Sequence, residues 1–219
     1  MKAQTFLIAA ITAVIFFVPG QSFSEESITV IADFESHPNN LGGEVGVYGS
    51  LEPNWEDKNT PFSWYYAPDV PGYDMKNVHS GKQSFRLVNA LGSKKSETWG
   101  SFSIDMGPVT DAVPVPKKVK SKDISGFKNI EFWVKGENGG EKMEVVLRDS
   151  HAPSYMPQAK ISVESATKEW KKITISVAEL RKSGIDVKSL DNIGIAFGAD
   201  VGNGPGATVY LDDFILSNE

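Results

Sequence analysis

The stretch Asn129-Ile130-Glu131-Phe132-Trp133-Val134 decides the fold of this chain. Its even-numbered residues are all apolar, while Glu131 and Trp133 occupy odd positions. Successive side chains of a strand point to opposite faces, so this alternation gives one buried face and one outer face. A period of two favours a β-strand over a helix.

Similar alternating or β-branched runs recur along the chain, separated by clusters of Gly, Pro, Asn and Ser. Apart from one short helix near 177–183, no helical periodicity exceeds about two turns. We therefore predict an all-β domain folded as a two-sheet jelly roll, with long loops at 36–61, 67–82, 106–122 and 150–159. The predicted strands are 27–34, 62–66, 84–89, 98–105, 129–134, 142–149, 160–163, 171–177, 192–197 and 208–216.

The run from Asn192 to Ala199 has a face made only of small residues. Ile193, Ile195 and Phe197 point one way, and the residues between them are Gly194, Ala196 and Gly198. Such a face leaves room for a ligand to lie against the sheet, or for a closely packed neighbouring element. The sequence leaves both interpretations open.

The first residues have the pattern of a secretory signal peptide. Lys2 precedes an apolar run over 5–18, which is shorter than the roughly 20 residues that span a bilayer. Small residues then flank position 23, which predicts cleavage near Ser24. We expect a signal peptide at 1–24 and a secreted or periplasmic domain at 25–219, without membrane insertion after cleavage. The alternative is an uncleaved anchor or a core helix.

Composition narrows the class of partner. The chain has 22 basic and 28 acidic residues, a net charge of −6, which disfavours nucleic acid. It contains no cysteine, so its stability depends on its core and on any bound metal. No repeat or linker divides it.

Several short motifs follow one another along the chain. They are Asp33-Phe34-Glu35, 39–43, Ser80-Gly81-Lys82, Asp123-Ile124-Ser125-Gly126-Phe127, 132–136, 169–172 and 209–214. This order resembles the galactose-binding-domain-like β-sandwich, and within it the carbohydrate-binding modules of bacterial glycanases, family 11 most of all. The resemblance implies non-catalytic binding of a polysaccharide or glycan. The same fold also resembles protein-binding assembly factors, so a protein-interaction domain is the first alternative.

The resemblance also implies one structural calcium ion. It would be held by a first-strand carboxylate, a last-strand aspartate and loop carbonyls, because calcium takes six to eight oxygen ligands. Glu35 and Asp212 match these positions best, with Asp33 beside them, and the 36–43 and 79–82 loops would supply carbonyls. The alternative is that these are solvated surface acids.

Aromatic residues are the candidates for sugar contact, because sugar rings pack their C–H faces on aromatic rings and bond polar groups at the edges. Trp133 and Trp170 lie within motifs of the fold and are expected in the core. Trp55 is a reserve candidate. The predicted binding residues are Trp64, Tyr66, Tyr73, Trp99, Arg148 and Asp149. For Trp64, Tyr66 and Trp99 the sequence leaves packing in the core as an equal alternative.

Catalysis has little support in the sequence. Its histidines show no metal-ligand spacing, and it has no nucleophile-elbow, P-loop or Rossmann motif. Arg148, His151 and Tyr155 could imitate the site of a jelly-roll polysaccharide lyase, and paired carboxylates could serve a glycoside hydrolase. We predict that the chain is not an enzyme and keep these activities as the second alternative.

Overall fold

The computed structural model describes residues 28–36, 38–49, 51–52, 72–89, 99–111, 118–152 and 157–219. The predicted signal peptide, the predicted strand at 62–66 and Tyr155 lie outside these residues. Within them, no helix is both long and apolar enough to cross a membrane.

Nearly all regular structure in the described residues is β, as the period-two alternation predicts. The single α-helix, α1, begins after Ser176, whose side chain accepts a hydrogen bond from the Ala178 N–H and so caps the helix. The strands are β1 Thr29–Ala32, β2 Val45–Gly49, β3 Leu51–Glu52, β4 Tyr73–Asp74, β5 Ser84–Asn89, β6 Gly100–Asp105, β7 Val109–Asp111, β8 Lys118–Val119, β9 Asn129–Gly136, β10 Glu144–Asp149, β11 Ala159–Ser162, β12 Lys171–Ser176, β13 Leu190–Ala196 and β14 Thr208–Ser217; α1 is Val177–Lys182, and a 3-10 helix covers Ala199–Val201.

Two antiparallel sheets form the sandwich, and the fold class predicted from sequence is confirmed. The first has seven strands, with β12-β9-β14-β5-β3 in order, β1 beside β14 and β4 beside β5. The second has five strands in the order β11-β10-β13-β6-β2. A separate hairpin joins β7 to β8.

The core lies between the two sheets and is built from the inward-pointing residues of both. Ile130, Phe132 and Val134 of β9 are fully buried there, as their alternation predicts. Phe132 stacks on Phe214 of β14 with ring centroids 4.6 Å apart. Each buried side chain of this size contributes about 1.5–3 kcal/mol, so the core is the main source of stability in a chain without disulfides.

The loops predicted at 36–61, 67–82 and 106–122 contain strands, which corrects that part of the sequence prediction. The clearest case is β2, in which Val45 and Val47 point into the core. Gly46 lies between them, and its lack of a side chain weakens the local strand signal. Antiparallel pairing with β6 stabilises β2 despite this weak local propensity. The paired residues run from Val45 opposite Ile104 to Gly49 opposite Gly100.

Candidate functional site

The outer face of the five-stranded sheet carries a floor of small and polar residues. In β13, Ile193 and Ile195 enter the core, so Gly194 and Ala196 lie on the opposite side of the strand. We call this outer surface the open face because its central residues are small; Val146, Ala196 and Asp105 within it are only 8%, 6% and 2% exposed. It is formed by Glu144, Val146 and Arg148 of β10, Asn192, Gly194 and Ala196 of β13, Ser101, Ser103 and Asp105 of β6, and Gly46 of β2.

Strand register aligns the small residues into a row that runs across the strands. Val146 is opposite Gly194, Gly194 is opposite Ser103, and Ser103 is opposite Gly46. A Cβ atom on Gly194 would lie 2.6 Å from the carbonyl oxygen of Phe102 and 2.8 Å from a methyl of Val146. Glycine is therefore required at this point, and the methyl of Val146 occupies the space beside it.

Trp99 stands at one end of the open face. It lies two residues before Ser101, and Gly100 next to it accepts a hydrogen bond from the Phe197 N–H at 2.8 Å. The side chain of Trp99 is 47% exposed, which is unusual for so large an apolar group. Trp99 immediately precedes β6, and continued alternation would place it on the same side as Ser101 and Ser103. An exposed aromatic residue thus lies four positions along the chain from Ser103, the member of the row in β6.

Charged groups border the same face. Lys160 of β11 forms a long ion pair with Glu144, 3.9 Å between Nζ and Oε2. Arg148 is opposite Asn192, at the end of the face away from Trp99. Burial raises the pKa of the nearby Asp191 carboxyl, while a hydrogen bond from Ser121 and the charge of Arg148 act to lower it. The open face therefore offers donors and acceptors at its margins.

Asp149 differs from its predicted role in binding. Its side chain is only 2% exposed. The N–H of His151 and the amide of Gln158 donate to Oδ1 at 2.8 and 3.0 Å, and the N–H of Asp186 donates to Oδ2 at 2.8 Å. The carboxylate is used in tying loops together, so Asp149 is a structural residue.

Tyr73 is also corrected. Its ring meets the ring of Phe85 edge-on, with centroids 5.3 Å apart, and packs against the core. Tyr73 lies in β4, which belongs to the seven-stranded sheet. It therefore does not join Trp99 on the open face. The predicted contacts Trp64 and Tyr66, and the reserve candidate Trp55, lie outside the described residues.

Trp133 and Trp170 were expected in the core, and that expectation is wrong. Both are half-buried on the outer face of the seven-stranded sheet. Both contact the imidazole of His79. This ring stacks on Trp133 and meets Trp170 edge-on, with ring centroids 5.6 Å apart. Trp133, Trp170 and His79 therefore form a cluster on the surface.

The carboxylates predicted to bind calcium hold a loop. The backbone N–H groups of Lys82 and Gln83 donate to Oε1 of Glu35 at 2.6 and 3.0 Å. Those of His79 and Ser80 donate to Oδ2 of Asp212 at 3.0 and 3.3 Å. The two side chains therefore fasten the 79–83 loop from opposite sides.

Asp33 contributes to a neighbouring turn. Asn40 Nδ2 donates to Oδ2 of Asp33 at 3.0 Å, and the N–H of Glu35 donates to Oδ1 at 3.1 Å. Burial, followed by the charge of Asp213, raises the pKa of Asp212 to about 6. In the part of the chain that the structure describes, no three His, Asp or Glu side chains converge on one point. Glu35, Asp33 and Asp212 therefore act as hydrogen-bond acceptors for loop groups, and a calcium ion at these residues stays a prediction.

Comparison with known proteins decides the family. A family model described as carbohydrate binding domain 30 matches residues 54–218, which is most of the chain. The chain belongs to this family. It is a carbohydrate-binding domain, and the predicted resemblance to carbohydrate-binding modules is confirmed, with family 30 as the family that the model identifies.

Solved structures of the family share the sandwich. The family 30 module of the cellulosomal cellulase Cel9D-Cel44B of Clostridium thermocellum is 19% identical, with 87% of this chain and 98% of that chain covered and a TM-score of 0.54. A second crystal structure of a family 30 module is 18% identical, with 80% and 91% covered and a TM-score of 0.51.

A family 11 module from Clostridium thermocellum, in complex with a β-1,3-1,4-mixed-linked tetrasaccharide, is 12% identical, with 86% and 94% covered and a TM-score of 0.48. The search of curated proteins found no match.

Proposed function

We propose that this domain holds a polysaccharide chain against its open face and performs no chemistry on it. The observation that carries the proposal is the row from Val146 through Gly194 and Ser103 to Gly46, together with the exposed Trp99, which precedes β6 at one end of the same sheet. A row of small residues gives an extended ligand a flat floor. Trp99 offers a ring for stacking on a sugar, and Arg148 offers hydrogen bonds in a planar fork.

The experiment is affinity gel electrophoresis of the purified chain against a panel of soluble polysaccharides. We expect at least one polymer to retard the wild-type chain. Trp99→Ala and Arg148→Ala should weaken that retardation while the fold is kept, as judged by circular dichroism. Lys182→Ala, at the exposed end of α1, is the control for loss of a positive charge. If both open-face variants bind as wild type does, the ligand lies elsewhere, and Trp64 and Tyr66 are the next candidates.

The absence of catalysis is the second part of the proposal. The side chain of His151, the candidate base of a lyase, is 69% exposed. Its Nδ1 lies 3.6 Å from Oδ1 of Asp149 and 3.7 Å from Oδ2 of Asp186. A base in that position is surrounded by water instead of being held against a substrate. We expect no reducing ends and no unsaturated products from the same panel of polysaccharides. Activity that disappears in His151→Ala would favour the lyase.

Export and calcium are further proposals. The signal-peptide pattern supports secretion or passage to the periplasm, and detection of a mature chain starting near residue 25 in that fraction would test it. The family resemblance supports a calcium ion near Glu35, Asp33 and Asp212, although their side chains are engaged by backbone N–H groups. Calorimetry with calcium and with chelator tests the ion, because a ligand of the native state raises the thermal midpoint.

A further inference from the structure

Three polar side chains form a row at the end of the open face away from Trp99. Arg148 of β10 is opposite Asn192 of β13, and Asn192 is opposite Asp105 of β6. Ile193, the next residue in β13, is fully buried, so Asn192 lies on the outer side of the strand, where it is half-buried. Asn192 is therefore an amide on the candidate binding surface, and the sequence alone did not single it out.

Asp105 fixes the orientation of this amide. Nδ2 of Asn192 donates a hydrogen bond to Oδ1 of Asp105 at 3.1 Å. An ionised carboxylate accepts hydrogen bonds and has no proton to donate, so the amide must turn its nitrogen, and not its oxygen, toward Asp105. The Asp105 residue is only 2% exposed. It can therefore act on a bound ligand through Asn192 and not by direct contact.

The Asn192 amide keeps unused hydrogen-bonding capacity. An amide has two N–H donors and an oxygen with two lone pairs, and the contact with Asp105 uses one donor. Among the residues that the structure describes, none donates a hydrogen bond to Oδ1. The next residue of β13 on the same face is Gly194, about 7 Å along the strand, and it has no side chain to cover the amide. One donor and one acceptor therefore remain for a group that lies on the floor of the open face.

Asparagine is also an unusual choice within a strand. Asn is depleted in strands, because its short polar side chain competes for backbone hydrogen bonds. Asn192 nevertheless lies inside β13, which is the central strand of the five-stranded sheet. Its bond to Asp105 uses only part of the amide, so a purely structural role does not account for this residue.

We propose that Asn192 binds two adjacent hydroxyl groups of a sugar ring and that Asp105 is its positioning residue. The inference rests on the proposed binding of a polysaccharide to the open face. A hydroxyl group can both donate and accept, so one hydroxyl satisfies Oδ1 and its neighbour accepts the second N–H. An acetyl ester replaces the proton that Oδ1 accepts and adds bulk. Asn192 therefore selects chains whose sugars keep two adjacent hydroxyls unsubstituted.

The test is titration calorimetry of the full chain with four soluble polysaccharides: mixed-linked β-glucan, xyloglucan, galactomannan and xylan. Asn192→Ala should weaken binding of the polymer that wild type binds best by at least about fivefold, as expected for loss of two hydrogen bonds. Asn129→Ala is the matched control, because it removes an amide from the outer face of the seven-stranded sheet, and it should bind as wild type does. Thermal midpoints show whether the variants are folded.

An O-acetylated preparation of the same polymer tests the class of ligand. Wild type should bind the acetylated polymer more weakly than the untreated one. Asn192→Ala should lose most of this preference, because the amide that distinguishes the two is gone. A preference of the same size in Asn192→Ala overturns the proposed contact with free hydroxyls.

A double-mutant cycle tests the positioning role of Asp105. In Asp105→Asn the new amide can turn either its oxygen or its nitrogen toward Asn192, which is then no longer held in one orientation. Asp105→Asn should weaken binding by less than Asn192→Ala does, and the double variant should bind no more weakly than Asn192→Ala alone. Additive losses overturn the positioning role.

Two outcomes separate this inference from the proposed function. If Trp99→Ala weakens binding while folded Asn192→Ala binds as wild type does, the open face binds sugar and the inference is wrong. If wild type binds none of the four polymers, the proposed function fails and the inference is overturned with it. Asn192→Val, whose side chain suits a strand, keeps the test decisive if Asn192→Ala does not fold, and it should show the same loss.

Discussion

The imidazole of His79 stacks on the indole of Trp133, with ring centroids 3.9 Å apart and the planes 18° from parallel. Its Nδ1 lies 2.6 Å from Oδ2 of Asp213, which holds the ring in place. One face of the Trp133 ring is therefore covered by the protein itself. Trp99 differs, because its side chain is 47% exposed. Trp99 is therefore the better platform for stacking a sugar ring.

His79→Ala should lower the free energy of unfolding by about 1–2 kcal/mol, because it removes the ring stack and the contact with Asp213. Urea denaturation measures the change, and a red shift of tryptophan fluorescence should report new exposure of Trp133. His151→Ala is the control, since that histidine is mostly exposed. Weaker polysaccharide binding by a folded His79→Ala protein would contradict this structural role.

Trp99→Ala should weaken polysaccharide binding by about tenfold to a hundredfold, equivalent to 1–3 kcal/mol, by analogy with aromatic stacking on nucleic-acid bases. Stability should change little, because the side chain is exposed. Titration calorimetry gives the affinity, and the thermal midpoint gives the stability. Trp99→Phe, which keeps a ring, should lose less affinity than Trp99→Ala; equal losses would show that stacking is not the cause.

Ser103→Phe should block binding by raising the floor of the open face in the middle of the row. Ser103 is half-buried on the outer side of the sheet, so the larger side chain points away from the core. Affinity electrophoresis should show loss of retention at an unchanged thermal midpoint. Thr174→Phe makes a similar change on the outer face of β12 in the other sheet and should bind normally. If the two variants behave alike, the open face is not the binding surface.

Glu35→Ala should lower the thermal midpoint even in the presence of chelator. The mutation removes the acceptor for the N–H groups of Lys82 and Gln83. Loss of a hydrogen bond to a charged group lowers the free energy of unfolding by about 1.5–3 kcal/mol. The loss is smaller here because the carboxylate is exposed. Scanning calorimetry with calcium and with chelator separates this loss from any effect of bound ion. A midpoint equal to that of wild type in chelator would mean that the loop is held by other contacts.

The alternation of side chains predicted most of the strands correctly, because it is a local property of the sequence. Strand β5 has the predicted bounds, and β9 and β14 extend one or two residues further than predicted. The strand β2 was missed because its glycines hide the pattern. The helix α1 was predicted near 177–183 and ends one residue earlier than expected.

The candidate site was predicted less completely. Ser101 of β6 is opposite Ala196, so Trp99, two residues before Ser101, is near the end of the Gly/Ala face of β13 in register, and its role in binding stays a prediction. Asp149 and Tyr73 have other contacts, since a carboxylate at a strand end or a tyrosine beside glycine gives no local sign of its burial. The burial of Glu141 was not predicted, because a glutamate beside glycines is typical of a surface turn and only the folded structure packs its carboxylate against Gly136.

By itself, the sequence determined the fold class, because burial of every second side chain is set by neighbours along the chain. Only the tertiary structure decided which residues share a surface. Val146, Gly194, Ser103 and Gly46 come from four strands, and their row depends on pairing register between residues up to 91 positions apart. A shift of one residue in any pair would send its small side chains to the opposite face. Register is set by the packing of the whole core, and for this reason the binding surface is a property of the folded domain.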